Sequence, residues 1–279
     1  MTAPIQLLLI GAAGRMGLAI TRLAGSGLVP GFRITAAVDS PSSPLMGKDV
    51  GVAAGLPPLG IAISSDLAAA IAAGPDVAID FSAPAAAPAT AEALANAGIP
   101  WVIGTTGLND AEKAALQAAA DRIPVMFAAN TSLGINLLYV LVEQAARALR
   151  GRGYDCEITE RHHRHKKDAP SGTALYLGRA AADGYQWNLA QTAVHGRSGI
   201  TGERPEQQIG FHALRGGDIP GDHTVLFATD GETIELSHRA TSRDTFAIGA
   251  LRAAAWLPGR PPALYSMRDV LNLNPGGTS

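Results

Sequence analysis

Seven consecutive cationic or titratable residues, Arg161-His162-His163-Arg164-His165-Lys166-Lys167, run directly into Asp168-Ala-Pro-Ser171-Gly172-Thr173. In a chain whose formal net charge is only −2, this concentrates positive charge and proton donors at one place, which suits binding and protonating a small acidic molecule. The Asp-Ala-Pro-Ser-Gly-Thr stretch reads as a turn entering a helix over 173–182, whose first amides and the Ser171 and Thr173 hydroxyls suit a carboxylate. If 162–166 is extended, His162, Arg164 and Lys166 share one face and His163 and His165 the other. One imidazole and one ammonium on the same side would then supply a proton to a carbanion formed by hydride addition. A solvated charge run is the plainer alternative, and the adjacent anion-binding helix start argues against it. No metal is expected, because His-His-x-His lacks the usual zinc-ligand spacing.

A second constellation lies at the N-terminus, where the apolar run Ile5–Ile10 turns into Gly11-Ala12-Ala13-Gly14-Arg15-Met16-Gly17. A strand that passes through glycines into a helix directs backbone N–H groups and the positive helix end at one spot, where a pyrophosphate fits. The spacing is GxxGxxG rather than the commoner GxGxxG, so position between strand and helix carries the argument. Asp39 follows Gly17 by 22 residues, the interval at which a carboxylate meets the adenine ribose hydroxyls. Ser40 and Pro41 come next, with no arginine to receive a 2′-phosphate. NADH is therefore the expected cofactor, with NADPH possible. Two more polar loops at strand ends, Gly104-Thr105-Thr106-Gly107 and Ala128-Ala129-Asn130-Thr131-Ser132, belong beside the nicotinamide or simply cap helices.

These residues need a scaffold, and the pattern of apolar residues supplies one. Strands at Ile5–Ile10, 33–38, 61–63, 77–81, 101–103 and 125–128 alternate with helices at 15–26, 66–73, 85–97 and 109–121, which implies an α/β doubly wound parallel sheet of the Rossmann type. After Asn130 a longer helix, 134–149, precedes half-exposed strands at 154–160, 208–214, 223–228 and 233–240. That is the texture of an α+β domain on a mixed or antiparallel sheet. A helix over 245–257 and the stretch 266–271 are expected to rejoin the first domain. The expected division is thus 1–131 with 244–279 for the dinucleotide and 132–243 for substrate binding and oligomerisation.

Composition narrows the class. At 279 residues the chain buries a large core without staples, and Cys156 as sole cysteine excludes an intrachain disulfide. No run of 18 or more apolar residues and no signal-peptide pattern occurs, so a soluble cytoplasmic protein with no membrane partner is expected. A pI near 6.4 gives little attraction to nucleic acid outside the one basic cluster.

Taken in order, Gly11–Gly17, Ile79-Asp-Phe81, Val102-Ile-Gly-Thr-Thr-Gly107, Phe127-Ala-Ala-Asn130, the block Glu160 to Thr173, Thr201-Gly-Glu-Arg204, Arg215-Gly-Gly-Asp218 and Met267-Arg-Asp-Val-Leu271 cover nearly the whole chain. On these motifs the sequence resembles the 4-hydroxy-tetrahydrodipicolinate reductase family, also called dihydrodipicolinate reductase, of the diaminopimelate route to lysine. The resemblance implies reduction of a cyclic imine dicarboxylate by NAD(P)H with loss of its hydroxyl as water, in a homotetramer that pairs the sheets of the second domains. By position, it implies that His162 gives and takes a proton, Lys166 donates one, and His163, Gly172 and Thr173 bind substrate, with Ser171 beside them. It places the cofactor on Gly11, Ala12, Ala13, Gly14, Arg15, Met16, Asp39, Gly104, Thr105, Thr106, Ala128, Ala129, Asn130 and Thr131. Arg161 departs from the small residue common there. The rival readings are another two-domain dehydrogenase, for instance of aspartate, and a dinucleotide sensor that binds without turnover.

Overall fold

The computed structural model describes residues 3–273, so residues 1–2 and 274–279, the ends of the first expected domain, lie outside the described residues. Two compact units form. One runs to Leu133 and resumes at Asp244, and the other is Gly134–Arg243. No helix of the described residues is long and apolar enough to cross a membrane.

In the first unit the chain forms β1 (Ile5–Ile10), α1 (Arg15–Gly25), β2 (Phe32–Val38), α2 (Val50–Ala53), β3 (Ile63–Ser64), α3 (Leu67–Ala72) and β4 (Val77–Asp80). It continues through α4 (Ala87–Ala97), β5 (Trp101–Ile103), α5 (Asp110–Ala120) and β6 (Pro124–Phe127). Local chemistry sets the helix ends. Asp66 caps α3, the Asn109–Glu112 capping box opens α5, and Gly98 ends α4 in a left-handed conformation. From the second unit come α6 (Leu133–Leu149), β7 (Asp155–His162), α7 (Gly172–Tyr185), α8 (Leu189–Thr192), β8 (Ala193–His195), β9 (Ile209–Arg215), β10 (Gly221–Thr229) and β11 (Glu232–Ala240). The chain then returns with α9 (Asp244–Trp256), β12 (Ala263–Tyr265) and α10 (Met267–Val270).

The first sheet is parallel throughout, in the order β12-β6-β5-β4-β1-β2-β3. Its central strands are apolar on both faces because both are covered. Leu7, Leu9 and Ile79 pack with α1 and α9, while Leu8, Ala78 and Trp101 pack with α4 and α5. The strand order reverses between β1 and β4, and this is the place where an open α/β sheet leaves a crevice for a ligand. The α/β class and doubly wound sheet expected from the sequence are thus present, with β12 as an edge strand that its three residues were too short to announce.

The second sheet is mixed, ordered β11-β10-β7-β9-β8, with β10 antiparallel to both neighbours and β7, β9 and β8 mutually parallel. Burial along β7 alternates, sending Cys156, Ile158, Glu160 and His162 to the side buried under α6 and α7. Glu157 lies on the opposite face, where Arg197, Arg204 and His212 surround it.

Candidate active site

At the end of β1 the backbone itself makes the site. Gly11 sits at φ +78°, and a side chain there would place Cβ 2.7 Å from both the carbonyl carbon and oxygen of Phe81 at the end of β4. Only glycine lets the two strand ends approach this closely while the chain turns into α1. Asp39, after β2, fixes the same loop: one carboxylate oxygen accepts the Ala13 N–H at 2.7 Å and the other that of Ser40 at 2.7 Å. Neighbouring strand ends are tied in turn, with Gly104 N–H donating to the Asp80 carbonyl at 2.9 Å and Ala128 N–H to that of Ile103 at 3.1 Å.

Above this cradle lies a hollow of ≈ 450 Å³, within the size of small-ligand pockets. Nine residues singled out from the sequence line it: Gly14, Arg15, Met16, Gly104, Thr105, Thr106, Ala129, Asn130 and Thr131. Gly11, Ala12, Ala13, Asp39 and Ala128, expected with them, do not line it. Sequence reasoning missed Phe81, Ser82 and Phe246 in that wall. Phe246 arrives on α9, and its carbonyl accepts from the Thr131 hydroxyl at 2.6 Å, so no local pattern near the glycine loop announces it. Beneath the wall, burial raises the Asp80 carboxyl to about 6, although Ser82 N–H donates to it at 2.8 Å. A separate hollow of ≈ 550 Å³, lined by Arg179, Trp187 and His195 among others, contains none of the residues expected to act.

The second unit gathers the basic block around the end of β7. The extended geometry considered for 162–166 is not what forms. His162 ends the strand, and the Lys166 N–H closes a turn onto the His163 carbonyl at 3.1 Å. The reason is the loop after β9: Gly216 N–H donates to the His162 carbonyl, while the Gly217 and Ile219 carbonyls take the Arg164 and His163 amides, so the chain bends where its partner strand has ended. His162, Arg164 and Lys166 therefore do not share a face by strand alternation. His163 and His165 instead lie as a tilted pair, 6.2 Å between ring centres. Desolvation lowers the pKa of His163, aided by the nearby Arg243, His162, His165 and Lys166. Lys166 Nζ donates to Asp168 at 2.9 Å.

His162 rests on a carboxylate that sequence reasoning treated only as part of a motif. Its Nδ1 lies 2.6 Å from Glu160 Oε2, and Arg215 grips Glu160 through two hydrogen bonds of 2.7 Å. The Ser171 N–H donates to the other oxygen at 3.0 Å. Burial alone would raise the pKa of Glu160; the hydrogen bonds from His162, Arg215 and Ser171 outweigh it and hold the carboxyl at about 2. Ser171 also caps α7, accepting from Ala174 N–H at 3.1 Å, and its hydroxyl lies 3.0 Å from His223 Nε2. Gly172 and Thr173 occupy the first turn of this 14-residue helix, at its positive end. His223 is a further residue the sequence did not disclose. Burial drives its pKa down to about 3, with His162 pressing the same way, so it stays neutral.

A parallel doubly wound sheet with a glycine cradle, in one chain with a unit that concentrates imidazoles and cations, defines a Rossmann-type oxidoreductase. Family models cover both units: one described as dihydrodipicolinate reductase, N-terminus, matches residues 5–131, and one described as dihydrodipicolinate reductase, C-terminus, matches residues 134–271. The chain belongs to the dihydrodipicolinate reductase family. Proteins named 4-hydroxy-tetrahydrodipicolinate reductase from Anaeromyxobacter dehalogenans and Alkalilimnicola ehrlichii are 51% and 53% identical to it, spanning 97% and 96% of this chain and 99% of each relative. The fold is also that of a solved dipicolinate-bound dihydrodipicolinate reductase from Paenisporosarcina sp. TG-14, at TM-score 0.75 and 22% identity over 94% of this chain and 97% of that one.

Proposed function

We propose that this protein reduces 4-hydroxy-tetrahydrodipicolinate to tetrahydrodipicolinate, with loss of the hydroxyl as water, in the biosynthesis of diaminopimelate and lysine. What carries the reading is identity of about half the residues, over almost the full length, with relatives bearing that activity in their names. The geometry supplies a chemical basis for it. The reaction consumes one hydride and one proton, and the two units offer the parts separately.

The glycine cradle fits a dinucleotide, since a Cβ at Gly11 would collide with the Phe81 backbone and only glycine closes the tight turn that brings the loop amides and the start of α1 to one spot. When bound there, a reduced nicotinamide supplies hydride. In this assignment Gly11 to Met16 hold the pyrophosphate, and Gly104 to Thr106 with Ala128 to Thr131 frame the nicotinamide. Asp39, already anchored by Ala13 and Ser40, keeps lone pairs for the ribose hydroxyls and sets a negative charge against a 2′-phosphate. NADH is accordingly the preferred cofactor. In the second unit His163, Ser171, Gly172 and Thr173 bind the dicarboxylate with the helix end, and His162 and Lys166 hold and move protons. The Ser171 hydroxyl serves partly through structure, being engaged with His223 and the α7 terminus. The protein works in the cytoplasm as a homotetramer.

The test is a coupled assay that generates fresh substrate from pyruvate and aspartate semialdehyde and follows NADH and NADPH oxidation side by side. Substrate-dependent oxidation, faster with NADH in kcat/KM, is expected. Tight NADH binding without turnover would leave the sensor reading instead, and turnover only with aspartate would favour the other dehydrogenase.

A further inference from the structure

Strand register collects four side chains of the second unit into one block. Glu160 and His162 point to the same side of β7; His223 on β10 stands opposite Glu160, and Arg215 on β9 stands opposite His162. Only 1% of the Glu160 side chain is exposed, and it receives donors from three separate segments. We propose that Glu160 is a positioning residue for His162: it fixes the imidazole as the Nδ1–H tautomer and so makes Nε2 the atom that gives and takes the proton.

Arg215 already neutralises Glu160 through a bidentate pair and keeps it ionised, and an ionised carboxylate can only accept. The 2.6 Å contact with Nδ1 therefore requires that Nδ1 carry a proton, which leaves the lone pair of a neutral ring on Nε2. Arg215 also donates to the Asp168 carbonyl at 2.7 Å, so the same guanidinium pins the loop that carries Lys166 and Ser171. The surroundings of Nε2 agree. Gly221 lies beside it, and a Cβ there would come within 3.1 Å, so the missing side chain leaves Nε2 room for a partner. His223 packs edge-on against the ring at 5.1 Å and, being neutral, adds no competing charge. An orienting carboxylate behind a proton-transferring imidazole is a general device of acid-base sites.

What His162 uses the proton for rests on the reductase reading; its tautomer does not. The test uses the full-length chain labelled with ¹⁵N, with long-range ¹H–¹⁵N spectra at pH ~9, where imidazoles are neutral, and His162→Gln to assign the signal. Wild type and Glu160→Gln, whose amide oxygen still accepts, should report Nδ1–H, and Glu160→Ala should report mixed tautomers or Nε2–H. In parallel, kcat should fall about 100-fold in Glu160→Ala and about tenfold in Glu160→Gln, with substrate KM and NADH affinity within about threefold of wild type. Should Glu160→Ala not fold, Glu160→Asp, which keeps the charge but draws it back by one methylene, provides the same tautomer comparison. A wild-type His162 carrying its proton on Nε2, a tautomer indifferent to position 160, or an unchanged kcat in Glu160→Ala overturns the proposal. The expected spectra from a protein that never turns over would sink the reductase reading alone and leave the role of Glu160 supported.

Discussion

The cradle of the first unit and the basic block of the second achieve ligand-ready geometry by different means. In the first, main-chain atoms do the shaping: a left-handed glycine, amides held by Asp39, and strand ends tied carbonyl to amide. The block in the second unit is built around one buried carboxylate, which the His162 and Arg215 side chains and the Ser171 N–H all reach, with His223 of β10 held on the Ser171 hydroxyl. Main-chain shape depends on φ and on the absence of a Cβ, so it should fail abruptly when a methyl group is added. Side-chain networks depend on charge and protonation, so they should fail gradually and respond to pH.

The largest effect should come from the network side. Lys166→Ala is expected to lower kcat by about 100-fold or more while leaving NADH affinity, read by fluorescence titration, nearly unchanged; unaltered turnover would remove Lys166 from proton transfer. Next in size is the cradle. Gly11→Ala must accommodate φ +78° and a methyl 2.7 Å from the Phe81 backbone, and a loss of about 2–4 kcal/mol in chemical denaturation is expected, with NADH binding weakened at least tenfold. A variant that keeps both would mean that the loop relaxes and that backbone shape is not what holds the cofactor.

Acid should separate the units by sign. The Asp80 carboxyl, raised by burial from 3.8 to about 6, contributes stability that is complete below pH 3.8 and lost as pH rises through 6. His223, lowered by burial from 6.5 to about 3, contributes stability that is complete above pH 6.5 and lost as pH falls toward 3. Glu160, held at about 2 against an ordinary 4.5, adds to the second unit's loss below pH 4.5. Hydrogen exchange between pH 6.5 and 4 should therefore tighten around β4 and loosen around β10, and parallel changes at both strands would contradict this account. The smallest effect expected is Ser171→Ala, about 1–2 kcal/mol from the lost cap of α7 and the partner lost to His223. A rise in substrate KM with no stability loss would instead show that the hydroxyl serves ligand alone.

This difference also governs what could be read from the sequence. Apolar runs alternating with helical patterns give the doubly wound sheet, and the glycine spacing gives the cradle, because main-chain architecture is written in contiguous residues. Short elements such as α2, β8 and β12, of three or four residues each, carry too little periodicity to stand out. In the second unit contiguity misleads. Alternation from His162 to Lys166 would hold only if the strand continued, and the loop after β9 bends it instead. Glu160 could have been suspected, since a carboxylate sits two residues from His162 at an inward position of β7. Arg215 and His223 meet it only through sheet register, which no local pattern specifies.

The Gly134–Arg243 unit is inserted within the sequence of its neighbour, and the final edge strand, β12, pairs with β6 only after α9 has been laid down. Since Phe246 forms part of the hollow and supplies the carbonyl that fixes Thr131, a ribosome releases the inserted unit whole before the surface proposed for the dinucleotide exists. A released chain truncated after Arg243 should thus carry a folded inner unit on an unfinished host, a stage at which no cofactor can yet assist folding.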